Sequence, residues 1–387
     1  MRLTTAPERT PALATALRGM LALAVAMGIG RFAFTPLLPM MQEGVGLSIA
    51  QGGWLASANY LGYLLGALAA VVGRVGQRTA IRAGLLAIAF ATLAMGWTGS
   101  FAAWIVLRAL PGFASAWVLV NVSAWALDEL GEAGRTDLGG VVYAGVGAGI
   151  VFAGLACLVL VHARFGYAQA WIALGIAAAV CTAALWKNTG GDAVPAGGAR
   201  TSAARPAKIP EFWRLVFCQG AFGFGYIIPA TFLPVMAKQV VLNPAGFGWA
   251  WPAFGAAAVA STLLASRLGA SITPRMLWVF GNLVMAAGVL VPLAMPGLAG
   301  IAVAALCVGG TFMVNTMAGM QEARRAGGAG ARVLMAAMTS AFAAGQVAGP
   351  LLVSAWANRG SGFEMALVAA SLPLFLAAFL LFQRRDQ

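Results

Sequence analysis

A chain of 387 residues with 61% hydrophobic and only 9% charged side chains is not a soluble globular domain, in which about a quarter of the residues carry charge. The formal net charge of +13 would suit nucleic acid in a soluble protein, but the cations gather in short polar breaks between apolar runs, so topology explains them and nucleic-acid binding is excluded. Cys157, Cys181, Cys218 and Cys307 each stand singly inside an apolar run, a scatter that offers neither a metal set nor a disulfide framework.

A bilayer core about 30 Å thick takes roughly 20 apolar residues per helix. The first such run covers 18–41 and follows Arg2, Arg9 and Arg18. It is longer than a signal-peptide core and has no small-residue cleavage site, so it is expected to stay attached as the first span. Further runs cover 49–72, 79–97, 102–127, 138–161 and 166–186. Between Asn188 and Pro210 the composition turns to Gly, Ala, Pro, Ser and Arg, which cannot bury a core and reads as a linker. Six more runs cover 211–236, 247–268, 274–294, 297–319, 333–354 and 363–382. The expectation is an all-α membrane protein of twelve transmembrane helices: an N-terminal six-helix half over 1–187, a cytoplasmic linker over 188–210 and a C-terminal six-helix half over 211–387. An inside N-terminus puts 19 of the 24 Lys and Arg on the inner face, leaving Arg164, Lys238 and Arg359 outside and Arg31 and Arg108 within spans. By the positive-inside rule both termini are cytoplasmic.

The two halves resemble each other. A shift of 195 residues superposes Gly28, Gly30, Leu38, Pro39 and Met41 on Gly223, Gly225, Leu233, Pro234 and Met236, and Gly53-Trp54 on Gly248-Trp249. A shift of 200 brings Ala144-Gly145 and Ala148-Gly149 onto Ala344-Gly345 and Ala348-Gly349. Six-span halves repeated in one orientation, with a site between them near the midplane, are a transporter architecture in which one half rocks against the other.

The stretch Gly28-Ile-Gly-Arg-Phe-Ala-Phe-Thr-Pro-Leu-Leu-Pro-Met40, followed by Gly52-Gly-Trp-Leu-Ala-Ser-Ala-Asn-Tyr-Leu-Gly-Tyr-Leu-Leu-Gly66, resembles the opening of the YbfB/YjiJ branch of the major facilitator superfamily. The resemblance implies a bacterial inner-membrane protein with helices 1, 2, 4, 5, 7, 8, 10 and 11 lining a central cavity; it brings no substrate. Arg74-Val-Gly76-Gln-Arg78 resembles the basic half of the superfamily's loop motif, with Gly73 where its acid is expected. Arg108-Ala-Leu-Pro-Gly112 is similar to the span-4 motif whose arginine faces the first helices. Span 5 keeps Gly145 and Gly149 of the antiporter motif but has Ile150 in place of its proline, so antiport is not implied.

Charged side chains at membrane depth are costly and face a cavity or a partner. Arg31 lies thirteen residues beyond Arg18, roughly 20 Å along a helix, and Arg108 enters about as deep from the other side. No Asp or Glu stands mid-span; the nearest are Glu43 at the outer end of span 1 and Asp128 and Glu129 at the inner end of span 4. Two buried cations without a carboxylate leave a vacancy that an anion would fill. The competing reading is that carbonyls and side-chain oxygens satisfy each guanidinium, which then ties helices together.

Asn59, Tyr60 and Tyr63 in span 2 and Gln219, Phe222 and Tyr226 in span 7 are the polar and aromatic companions, with packing the alternative for the rings; Tyr226 is the repeat-mate of Arg31. Asn121, Asn315 and Gln346 are further candidates, of which at most one is expected to face the cavity; Asn121 sits about 220° around the helix from Arg108, too far to share its face. Gly28-Ile-Gly30 lies inside an apolar helix with no strand before it, so close packing or a kink replaces the dinucleotide-loop reading. Pro36 and Pro39 loosen the outer third of span 1, where a gate is expected. His162, beside Arg164, falls at an interface.

The resulting expectation is a non-enzymatic, monomeric transporter of a small organic anion. No cofactor or metal is expected, and proton coupling would use the substrate's own acid group, Glu43 or an inner-end acid. Efflux of amphipathic drugs, suggested by the many aromatics and methionines, would call for an acid in the cavity. A membrane enzyme would need paired carboxylates or a His cluster at the surface, and the acids from Asp128 to Asp137 read as a solvated loop.

Overall fold

The computed structural model describes residues 12–72, 75–187, 209–240, 248–268, 272–327, 331–357 and 363–383. Twelve helices run through them: α1 (Ala12–Val45), α2 (Ile49–Val72), α3 (Gln77–Met95), α4 (Phe101–Glu132), α5 (Gly139–His162), α6 (Tyr167–Leu185), α7 (Ile209–Val240), α8 (Ala250–Leu268), α9 (Pro274–Ala294), α10 (Leu298–Gly327), α11 (Ala331–Ala357) and α12 (Phe363–Phe382). Ten of them are long and apolar enough to cross a membrane. The other two are the 24-residue α2 and the shorter apolar helix α8. The chain is therefore an integral membrane protein, all-helical among the described residues.

Helix ends lie where local chemistry satisfies free backbone groups. Ser100 caps α4 by accepting from the Ala103 amide, and Thr273 caps α9 with Pro274 at its first turn. Several helices outrun their apolar cores: α4 continues through Asp128 and Glu129 to Glu132, and α10 ends at Gly327. Hydropathy sees the lipid-facing stretch and misses the solvated turns beyond it. The expected linker is described only at Ile209 and Pro210, and both already belong to α7, since a proline fits the first turn where no amide partner is needed. The remainder of that linker lies outside the described residues, as does Arg74 of the loop motif.

Lipid supplies no hydrophobic drive between helices, so association rests on close contact and small residues. A Cβ at Gly145 of α5 would lie 2.0 Å from the Met20 carbonyl oxygen of α1, and one at Gly345 of α11 would lie 2.4 Å from the Gly220 carbonyl oxygen of α7. The repeated glycine motif thus packs α5 on α1 and α11 on α7 in the same way.

Contacts between the first six helices and the last six follow the same symmetry. Gly140, Gly147 and Gly154 of α5, spaced seven apart, face Ser266, Gly255 and Pro252 of α8. On the opposite side the Ser57 hydroxyl of α2 donates to the Val347 carbonyl of α11 (3.1 Å), and the Ser354 hydroxyl to the Ala50 carbonyl (3.1 Å). Between them α1 meets α7: the Thr35 hydroxyl donates to the Ala230 carbonyl (2.9 Å), and Glu43 pairs with Lys238 (2.7 Å). Both pairs are separated by 195 residues, the spacing of the repeat, so repeat-mates touch each other across a pseudo-two-fold axis.

The main irregularity is in α1. Ala24–Phe32 wind as a π-helix, and an α-helix resumes over Phe34–Val45 with Pro39 inside it. The expectation that Pro36 and Pro39 loosen the outer third is corrected: the wide turns come before the prolines. Pro36 has no amide proton for the Phe32 carbonyl and its ring crowds that carbonyl, so the strain is absorbed upstream, where Gly28 and Gly30 also admit Gly149 and Ile88.

Replacing Gly145 by alanine is expected to lower stability by about 1–3 kcal/mol through the clash with the α1 backbone. Thermal unfolding of the purified protein checks this, with Gly99→Ala, where nothing lies within 4 Å, leaving the midpoint unchanged.

Candidate functional site

The π-helical stretch of α1 carries Arg31 to the inside of the bundle, 2% exposed. Its guanidinium stands 4.0 Å above the Tyr63 ring and 5.1 Å from the Tyr60 ring, both one turn apart on α2. An aromatic face attracts a desolvated cation, by about 2 kcal/mol or more, but leaves its N–H groups without acceptors. Arg31 Nη2 donates to the side-chain oxygen of Gln346 on α11, and the Gln346 amide in turn donates to the Tyr226 hydroxyl on α7. Arg31 Nε has no hydrogen-bond partner. Among the described residues no carboxylate pairs with Arg31 or Arg108, and the only bridge from the Arg31 guanidinium to the last six helices is a neutral amide.

Tyr226 sits in an aromatic stack between Phe312 (5.5 Å, 11°) and Phe342 (5.6 Å, 7°), with Phe222 tilted against it at 5.2 Å. Phe32 closes the box against Phe312 and Trp251. The Tyr60 hydroxyl meets Thr231 of α7 at 3.0 Å. The site therefore has a cationic wall from α1 and α2 and an aromatic wall from α7, α10 and α11.

Arg108 has a different environment. It is 1% exposed, 4.6 Å over the Phe34 ring, and its Nη2 donates to the Arg31 carbonyl (3.2 Å). Asn59 donates to the carbonyls of Gly30 (3.3 Å) and Arg108 (2.8 Å). The Gly30 and Arg31 carbonyls lie near the end of the π-helical stretch, where Pro36 offers no amide to the Arg31 carbonyl five residues before it. Asn59 and Arg108 supply donors for them, so these two residues hold the distorted backbone in place, and Arg31 with it.

The other expected residues are placed elsewhere. Asn315 turns to α9, donating to Asn282 (3.3 Å). Gln219 faces Gly319 of α10, its side-chain oxygen buried without a partner. Asn121 bonds its own helix at the Trp117 carbonyl (2.9 Å). Glu43 is held by Lys238, and His162 bonds the Leu158 carbonyl. The acids expected as a solvated loop are corrected in part: Asp128 and Glu129 belong to α4, where Glu129 accepts from Thr15 (2.9 Å) and Trp125 (2.7 Å). Asp137 does lie in solvent, its carboxyl held below the usual range by the hydrogen bond from Arg135. Thr35, Thr231, Ser57, Ser354 and the Glu43–Lys238 pair were not anticipated as contacts, although the 195-residue shift already set Glu43 opposite Lys238.

The family described as "Uncharacterised MFS-type transporter YbfB" matches residues 23–382, nearly the whole chain. The protein belongs to this family. The YbfB-type assignment agrees with the twelve helices, and every helix that contributes to the site is one that the resemblance places around a central cavity. A curated relative, "Uncharacterized MFS-type transporter YceJ" of Bacillus subtilis (strain 168), is 33% identical over 102 residues, which is 26% of this chain and 26% of the relative.

Asn59→Ala and Arg108→Ala are each expected to lower stability by about 1–3 kcal/mol, because each strands a buried carbonyl. Thermal unfolding of the single and double variants should show less than additive losses, since both residues serve one junction; additive losses would contradict a shared role.

Proposed function

We propose that this YbfB-type protein transports a small organic carboxylate by alternating access, with Arg31 receiving the carboxyl group. One observation carries the reading: a guanidinium buried in the bundle, without a carboxylate partner among the described residues, ends on a neutral glutamine from the other half. An unpaired cation there costs several kcal/mol, which a neutral amide offsets only in part. A carboxylate bound in a fork geometry makes shorter and roughly twice stronger hydrogen bonds. The substrate's carboxylate would displace the Gln346 oxygen and engage the Arg31 Nε that now lacks a partner.

That exchange supplies the coupling. The chain from Arg31 through Gln346 to Tyr226 joins α1, α11 and α7, so removing Gln346 from Arg31 loosens the contact between halves while the substrate takes its place. The rings of Tyr226, Phe312 and Phe342 would receive the apolar body of the substrate. The other residues put forward from sequence divide accordingly: Tyr60 and Tyr63 hold the cation, Asn59 and Arg108 support it, Gln219 lies about two turns along α7 from Tyr226 against Gly319, and Asn315 is engaged with Asn282. Pro36 acts on gating through the π-helical turns upstream of it, while Pro39 lies inside the α-helix that follows.

Efflux of cationic amphipathic compounds is the second reading, favoured by the same aromatic stack, and the Arg31 charge opposes it. A proton, where one is coupled, would travel on the substrate, because Glu43 is engaged with Lys238. In this reading the membrane is a bacterial inner membrane and both termini face the cytoplasm, an orientation that the cation distribution supports.

Binding is read from ligand-induced thermal stabilisation against mono- and dicarboxylates, amino acids and cationic drugs, and transport from uptake by proteoliposomes. Arg31→Ala is expected to fold and to bind a carboxylate about 10–100-fold more weakly, the loss of one charge-assisted contact set; unchanged affinity, or stabilisation by cations alone, would overturn the proposal. Gln346→Glu places a tethered carboxylate on Arg31 and is expected to raise the unfolding midpoint while abolishing carboxylate binding.

A further inference from the structure

On the outer surface, away from Arg31, α3 and α6 enclose a groove of about 470 Å³ lined by Leu86, Ala179, Thr182, Ala183, Trp186 and Lys187. That volume falls within the usual range of ligand clefts, about 300–1,000 Å³. Its long wall is aliphatic and open: Leu86, 50% exposed, faces Ala179 and Ala183 of α6. Its mouth is cationic. Arg82, in the second turn of α3, lies 5.0 Å over the Trp186 ring, and its Nε is buried with no hydrogen-bond partner. Lys187 follows directly after Trp186 at the end of α6. Neither α3 nor α6 contains an aspartate or glutamate.

A tryptophan flanked by two cations at helix ends, above an aliphatic groove facing the bilayer, has the polarity of a phospholipid: charge at the level of the headgroups and hydrocarbon below. The guanidinium matches a phosphate ester by geometry as well as charge, and Arg82 Nε is a donor with no acceptor in the protein. Trp186, which lines the groove, holds the guanidinium by one face beside the groove mouth. A neutral apolar occupant would leave that donor unmet, and a soluble anion would leave the aliphatic wall bare.

We propose that the α3–α6 groove is a binding site for one anionic glycerophospholipid, its phosphate on Arg82 and Lys187 and an acyl chain along Leu86 and Ala179. Arg82 lies on a helix that packs against α4, the helix of Arg108, so an occupied groove braces the outer layer of the first six helices without touching the central site.

Native mass spectrometry and thermal unfolding of the detergent-purified full chain, titrated with phosphatidylglycerol, phosphatidylcholine or inorganic phosphate, test this. The expected result is a one-to-one phosphatidylglycerol adduct with a raised unfolding midpoint. Arg82→Gln with Lys187→Gln should weaken it about thirtyfold, roughly five- to sixfold per cation. Leu86→Trp, which fills the groove and keeps both charges, should weaken the adduct as well, so a folding failure of the charge variant does not decide the matter. Equal retention of phosphatidylcholine, equal stabilisation by inorganic phosphate, or an adduct unaffected by both variants would overturn the proposal.

Discussion

A guanidinium inside a membrane protein must be answered by something, and here the answer to Arg31 organises the centre of the molecule. Two tyrosine faces from α2 screen the charge, and a glutamine from α11 accepts a hydrogen bond from it. Each acts in a low dielectric, where an imperfectly satisfied charge is expensive and a better partner is correspondingly favoured. The arrangement is sufficient to keep the cation buried and insufficient to neutralise it. It also requires α1 to bulge, since the wide turns of Ala24–Phe32 present Arg31 to α2 and α11 while Gly28 and Gly30 press against α5 and α3. The carbonyls freed by that bulge need donors, and Arg108 is one of them. The second buried arginine is thus explained largely by the distortion that positions the first.

The repeat gives the same centre its second wall. Where two halves meet on a pseudo-two-fold axis, residue i faces its own mate, and Thr35 with Ala230 and Glu43 with Lys238 obey that rule. Arg31 and Tyr226 are also mates, joined here through Gln346. The two members of each pair have diverged into complementary roles: donor and acceptor, acid and base, cation and aromatic. On either side of the axis the α5–α8 and α2–α11 seams use small residues, which permit close contact without interlocking side chains.

Much of this was legible. Continuous apolar runs require helices in lipid, so the twelve elements followed from hydropathy. Arg31, Tyr60, Tyr63, Tyr226 and Gln346 were within reach because a charge or polar group inside an apolar run is conspicuous by cost alone. Asn315 and Gln219 satisfied the same test and point elsewhere, because a polar residue on a buried helix can be met by a neighbouring helix as readily as by a cavity. The π-helix was not legible: glycines and prolines announce an irregularity, but its position depends on which neighbour presses where. Nor was the role of Arg108, whose acceptor is a main-chain carbonyl present at every residue and exposed only by the bulge.

In the proposed cycle the hydrogen bond from Arg31 to Gln346 helps hold the first six helices against the last six, beside the Thr35–Ala230, Tyr60–Thr231 and Glu43–Lys238 contacts, and an anion competes with it. Spin labels at the exposed Val45 and Val240, near the ends of α1 and α7, report that separation by pulsed electron resonance. Gln346→Ala should populate longer distances than the parent, and Gln346→Glu should narrow the distribution around the short one. Identical distributions in the parent and both variants would contradict the account.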